Sequence, residues 1–305
     1  MKNHIKIYIL PLAMLSGVLF YKEIEYIVFL SPYLIFLMLL VPYCRLSVKD
    51  VRIKPQHLML LGIQVVVALA VYFALLPFNK IVAEGAFICM FCPTATSSPV
   101  ITSMLGGSIA SVISYSMLSN ITVAVLSPVL FSFIGAHTEL PFGESVWIIS
   151  RQIFPLIVAP MILAFIMRKA FPRAHKFFYE SQSLSFYLWA LALIIVLGRS
   201  MGYIVSNGSE KAAYESVLAV AALAVCVFQF YIGKKIGARY GDRIAGGQGL
   251  GQKNTVLCIW MAFTYLTPLS SVAPAAYIVW QNIINSWQLI NHERKEEKQH
   301  LSARA

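Results

Sequence analysis

Apolar positions in this chain do not alternate with polar ones; they run on in long stretches. Ten runs follow one another, at 5–20, 24–43, 57–76, 80–105, 108–135, 144–167, 183–205, 213–236, 244–266 and 269–290. A helix needs about 20 mainly apolar residues to cross a bilayer, so the pattern predicts ten membrane spans joined by short polar loops. In lipid only helices and closed barrels satisfy their own backbone groups. The fold class expected is therefore all-α membrane protein, with no room for an extramembrane domain.

Composition agrees. Of 305 residues, 59% are hydrophobic and 12% charged, against roughly 25% charged in soluble domains. The mean hydropathy is +0.73. These values exclude a soluble enzyme, a nucleic-acid binder and a secreted disulfide scaffold. The net charge of +11 reflects loop placement and not a nucleic-acid partner, because 18 of the 24 basic residues fall on one side of a ten-span topology. They are Lys2, Lys6, Arg45, Lys49, Arg52, Lys54, Arg168, Lys169, Arg173, Lys176, Lys234, Lys235, Arg239, Arg243, Arg294, Lys295, Lys298 and Arg304. The opposite loops hold Lys22, Lys80 and Lys211. By the positive-inside rule, both termini are cytoplasmic, and the expected location is a bacterial inner membrane with the lipid bilayer as partner. Lys2 and Lys6 precede an apolar run without a small-residue cleavage site, which reads as a first span. Cys44, Cys89, Cys92, Cys226 and Cys258 are expected as reduced, packed thiols.

Ten spans divide into five and five. Five is odd, so the second set enters from the opposite side, as in the inverted repeats of secondary transporters. The expected units are a first repeat at 1–140, a second, inverted repeat at 141–292 and a cytoplasmic tail at 293–305. The fourth run of each unit is interrupted. The first interruption reads Cys92-Pro93-Thr94-Ala95-Thr96-Ser97-Ser98-Pro99, and proline removes a backbone donor and clashes with the preceding turn. The second, Gly246 to Thr255, holds four glycines and a cluster of polar side chains. Breaks in corresponding positions predict crossing discontinuous helices 4 and 9, whose freed carbonyls and side chains could hold a solute near the midplane. A kink in each run is the simpler alternative.

These two segments resemble those of the bile acid:sodium symporter family, within a superfamily that includes arsenite exporters. The family's first break reads roughly C-P-G-G-T-A-S-N and its second E-x-G-x-Q-N; here the second reads Gln248-Gly249-Leu250-Gly251-Gln252-Lys253. The resemblance implies a core of spans 3–5 and 8–10, which holds the crossing. A panel of spans 1, 2, 6 and 7 faces the core, and the solute lies in the crevice between them. It also implies a sodium site, which carries over onto Ser98, Ser116, Gln248 and Gln252. That site departs from the pattern, since the family's Glu is Gln248, its Asn is Pro99, a span-5 hydroxyl is Val112, and Lys253 follows Gln252. Hard cations favour charged oxygen ligands, so sodium is a doubtful cofactor and no other is expected. A lysine at mid-membrane costs at least about 2.5–3.5 kcal/mol and is usually functional. Lys253 is expected to take the cation's place, either as a tethered charge on the crossing carbonyls or as a titrating group.

The expected substrate- or ion-binding residues are thus Thr96, Ser97, Ser98, Ser116, Asn120, Gln248, Gln252, Lys253, Asn254 and Thr255. Arg151, Arg199 and Glu84 read as interfacial. The Cys89-Met90-Phe91-Cys92 spacing lacks partner ligands, and the glycine run fits neither nucleotide-binding pattern. All six histidines lie in loops, tails or at span ends, and no intramembrane acid pair is present, so no catalytic residue is expected. The function predicted is secondary active transport of a small organic anion by alternating access. The alternatives are a proton-coupled or uncoupled carrier or exporter of another small solute, of arsenite type, and a membrane-embedded enzyme. The pattern sets no oligomeric state.

Overall fold

The computed structural model describes residues 12–45, 51–135, 140–206 and 212–302. Apart from one isolated bridge between Thr94 and Lys253, the described residues form helices and turns. In chain order they are α1 (12–19), α2 (Tyr21–Tyr43), α3 (Pro55–Leu75), α4 (Lys80–Phe91), α5 (Ser98–Met104) and α6 (Ile109–Ile134). After these come α7 (Phe142–Ala170), α8 (Pro172–Glu180), α9 (Gln182–Ser206), α10 (Ala212–Arg239), α11 (Arg243–Gly251), α12 (Thr255–Tyr265) and α13 (Val272–Ser302). Two carry irregular turns: α2 is 3-10 helical over Glu25–Leu30, and α3 has a π turn over Ile63–Val67.

Among the described residues, six helices are long and apolar enough to cross a membrane: α2, α3, α6, α7, α9 and α10. The chain is an all-α membrane protein. The other four expected runs differ for stated reasons. The first begins among residues outside those described. The fourth and ninth are broken into α4–α5 and α11–α12. The tenth lies in α13, whose apolar character is diluted by Gln281, Asn285 and Gln288, all buried inside the protein. The tail expected from residue 293 is a continuation of α13, helical to Ser302.

Helix α2 packs on α7 and α9, while α10 packs on α4, α11 and α13, and α3 packs on α4. The buried apolar core runs between them, with Phe87, Phe91, Phe131 and Tyr265 forming an aromatic stack within it. The glycine run corrects one expectation. Gly246 to Gly251 is helical, and the second break is confined to Gln252–Asn254. Glycine is costly in a helix, yet here it allows backbones to touch, as small residues do in membrane helix pairs. A Cβ on Gly246 would lie 2.4 Å from the Gly233 carbonyl oxygen, and one on Gly233 would lie 2.4 Å from that of Gly246. The glycines are there so that α11 can lie against α10.

Candidate functional site: the crossing of two broken helices

Helix α4 stops at Phe91 because Pro93 and Pro99 flank a stretch that cannot continue it, and α5 restarts at Ser98 with Pro99 in its first turn. Helix α11 stops at Gly251, and α12 restarts at Thr255, where the Asn254 side chain accepts the Leu257 N–H at 3.3 Å. The unwound stretches then pair with each other. The Ala95 N–H donates to the Gln252 carbonyl and the Asn254 N–H to the Pro93 carbonyl, both at 2.9 Å. Thr94 and Lys253 face each other across this two-bond antiparallel bridge.

A helix ending inside a protein leaves its last carbonyls without intrahelical partners. At the end of α4 each receives a side-chain donor from a different element. The Cys89 carbonyl accepts from Gln229 of α10 at 3.2 Å, Met90 from the Lys253 ammonium at 2.9 Å, and Phe91 from Gln64 of α3 at 2.7 Å. Lys253 is 1% exposed, so its amine sits at the negative end of α4 inside the protein. Cations are stabilised at helix C-termini.

At the end of α11 the donors are Ser98 to Gln248 at 3.0 Å, Thr94 to Gly249 at 2.7 Å and Tyr277 to Gly251 at 2.7 Å. The surrounding bonds match pairwise. Gln64 accepts from Tyr115 at 2.7 Å while Gln229 donates to Tyr277 at 3.0 Å. The Thr94 N–H donates to Ser119 at 3.4 Å and the Lys253 N–H to Gln281 at 3.0 Å. Ser119 and Gln281 stand four residues beyond Tyr115 and Tyr277 on α6 and α13.

The expected binding residues divide into three places. Gln252 reaches Ser97 at 3.0 Å within the crossing, with Lys253, Asn254 and Thr255 buried beside them. Gln248 points the other way and donates to Asn285 of α13 at 2.9 Å. Thr96 and Ser116 line a cavity of about 340 Å³ beside the first break, with Pro42, Tyr43, Arg45, Pro99, Val100, Ser103, Ile109 and Ile113. Arg45 is the sole charged residue among these. Asn120 donates to the Ser116 carbonyl at 2.7 Å. Of the four residues carried over as a sodium site, the Ser98 hydroxyl donates to the Gln248 carbonyl, the Gln248 amide donates to Asn285, Gln252 donates to Ser97 and Ser116 lines the cavity, while the side-chain oxygens of Gln248 and Gln252 are buried with no hydrogen-bond partner among the described residues. Among the described residues no cluster of three or more histidines, cysteines or carboxylates could hold a metal ion.

The sequence reading passed over Gln64, Gln229, Gln281, Tyr115 and Tyr277; the available signal was a lone glutamine in each of two apolar runs and the amide cluster of Gln281, Asn282, Asn285 and Gln288 in the last. It also passed over a second buried network. His57, expected at a loop or span end, is the third residue of α3 and fully buried. It sits 2.9 Å from the Ser111 hydroxyl, and Gln56 donates to Ser111 at 2.7 Å and to Asp242 at 3.0 Å. Asp242 immediately precedes α11, so this network ties the starts of α3, α6 and α11. Glu84, read as solvated, is buried and accepts the Thr267 N–H at 2.8 Å.

No family model matches the chain. It is similar, at 23% identity over 234 residues, to a protein of Bacillus subtilis (strain 168) named as an uncharacterized sodium-dependent transporter, YocS. The match covers 73% of this chain and 68% of that protein.

Proposed function

We propose that the chain is a secondary carrier that moves a small organic anion across the membrane by alternating access. The observation that carries this is the bridge between the two unwound stretches, with the solute-sized cavity against its first strand. Broken helices that cross give a polar centre in a bilayer without exposing backbone to lipid. The pairwise match of Gln64 with Gln229, Tyr115 with Tyr277 and Ser119 with Gln281 supports two inverted five-helix repeats. The packing of α7 and of α9 on α2 supports a panel set against a core. A cavity of about 340 Å³ stands at the lower end of small-molecule sites, and Arg45 and Lys253 favour an anion.

The carrier reading includes a fixed cation in place of a bound one. Lys253 gives its ammonium to the Met90 carbonyl, so binding of the solute requires no sodium. The competing reading is sodium coupling, favoured by the name of the Bacillus subtilis relative. Counterflow in vesicles tests both. Trans-stimulated exchange of a radiolabelled anion in sodium-free buffer is the expected result. Flux without trans-stimulation would indicate a channel, and exchange that appears only with sodium would overturn the fixed-cation part.

A further inference from the structure

We propose that α8 is a seat for anionic phospholipid headgroups and that, through Tyr179, it positions Arg45 at the cavity. The second half of this rests on the cavity being the solute site; the first half does not. Helix α7 is a candidate membrane span that ends at Ala170, and α8 begins two residues later, so α8 starts at the bilayer boundary. Its residues fall into two neighbouring stripes. Ala174, Phe177 and Phe178 follow an i, i+3, i+4 pattern, while Arg173, Lys176 and Glu180 lie roughly 120° round the helix from them.

Phe178 packs inward on the hydrophobic core, but Phe177 is 58% exposed and Phe171, just before the helix, is 61% exposed. A short helix with one apolar and one basic face lies in the plane of the membrane interface. Arg168 and Lys169 close the last turn of α7, and with Arg173 and Lys176 they set four cations along one edge. Glu180 offsets one of them through a surface pair with Lys176 at 3.8 Å, and exposed pairs of this kind hold weakly. Each basic residue near an anionic surface strengthens attachment by about fivefold.

The same helix reaches the cavity. The Arg45 Nε–H donates to the Tyr179 carbonyl at 3.1 Å, and the guanidinium carbon stands 5.6 Å from the centre of the Tyr179 ring. Tyr179 is the penultimate residue of α8, so Arg45 occupies one of the unpaired carbonyls of the helix end. Arg45 is also the one charged residue lining the cavity, and Tyr43 beside it buries a hydroxyl with no partner among the described residues. Headgroups that draw α8 toward the bilayer thus move the cation that faces the solute.

Two measurements test this without any transport assay. In the first, Phe177→Cys is labelled with a polarity-sensitive fluorophore, and the protein is placed in nanodiscs of phosphatidylcholine with rising phosphatidylglycerol. The emission shifts to the blue as phosphatidylglycerol rises. Adding Arg173→Gln and Lys176→Gln weakens the attachment by about fivefold per charge, so the blue shift moves to higher phosphatidylglycerol or is lost. Emission independent of lipid charge overturns the seat. In the second, Ser103→Cys in the cavity wall is modified with an anionic and a cationic methanethiosulfonate, each rate scaled to an exposed Lys235→Cys reference. The anionic-to-cationic rate ratio changes severalfold between the two lipids and becomes lipid-independent with Arg45→Gln. A constant ratio in the parent background overturns the link to Arg45 while leaving the seat standing. Absence of carrier activity would touch neither readout.

Discussion

Replacing Lys253 by methionine keeps the length of the side chain and removes its charge. Two terms act on stability. The Met90 carbonyl loses its 2.9 Å donor, worth about 1.5–3 kcal/mol for a bond to a charged group and less, about 0.6–1.7 kcal/mol, in membrane-protein cycles. Against this, an ammonium no longer has to be held at mid-membrane, which relieves about 2.5–3.5 kcal/mol. The terms oppose each other, so the net change runs from about 0.5 kcal/mol destabilising to about 3 kcal/mol stabilising. At about 2–4 °C per kcal/mol for domains somewhat smaller than this one, Tm falls by no more than about 2 °C and rises by no more than about 12 °C. Function behaves differently, because the charge at the end of α4 sets the crossing that shapes the cavity wall at Thr96. The assay is a thermal-shift screen of purified protein against small organic anions, with and without sodium. Ligand saturating at a hundred times its Kd adds about 2.7 kcal/mol of stability, a shift the parent protein shows in sodium-free buffer. Lys253→Met retains its own Tm but loses that ligand-induced shift. A variant with the full shift would refute a role for the ammonium in the site. A Tm lower by more than about 15 °C would show instead that the ammonium is chiefly a structural support.

Gln64→Leu strips one partner from each of Phe91, Tyr115 and Ser119; at about 0.6 kcal/mol per bond in membranes, it lowers stability by about 2 kcal/mol in a denaturation series, and no loss would refute the pairing. Gly246→Val places a Cβ 2.4 Å from the Gly233 carbonyl oxygen, an overpacking that costs about 1–3 kcal/mol or more, read as lower Tm and monodisperse yield. Tyr43→Phe removes a buried hydroxyl without a partner among the described residues, so Tm holds or rises slightly while anion affinity falls severalfold in the thermal-shift titration. The five cysteines are free and buried; a maleimide labels none of them in the folded protein and all five after denaturation in detergent.

Where the helices break was legible because it follows from local chemistry. Pro93 and Pro99 cannot continue α4, and no long-range contact is needed to see it. The glycine run misled for the converse reason. Its helical state depends on α10 offering Gly233 and Gly237 at matching heights, a tertiary fact that outweighs low helix propensity. The ends of the side chains were the least legible. Ser98, Gln248 and Ser116 are all near the crossing in sequence terms, but a half-turn decides whether each faces a partner or the cavity, and helix register across a break is set by packing. His57 shows the same limit: its position beside Lys54 reads as interface, yet it is fully buried, with Ser111 from a distant part of the chain at 2.9 Å and Asp242 held by the neighbouring Gln56.

The crossing also localises the asymmetry between the two halves. In each break the bridge residue sends its side chain to a carbonyl in the last turn of the other half-helix: Thr94 to Gly249, Lys253 to Met90. The glutamines and tyrosines around them keep the correspondence, with neutral partners on both sides. Only at the bridge does one half present a short hydroxyl and the other a long cation. A symmetric pair of neutral donors would have satisfied the same carbonyls at lower desolvation cost, so the charge is not needed to close the helix ends. A buried lysine amine where a hydroxyl suffices for its counterpart marks the side of the crossing at which Lys253→Met tests what a charge would add.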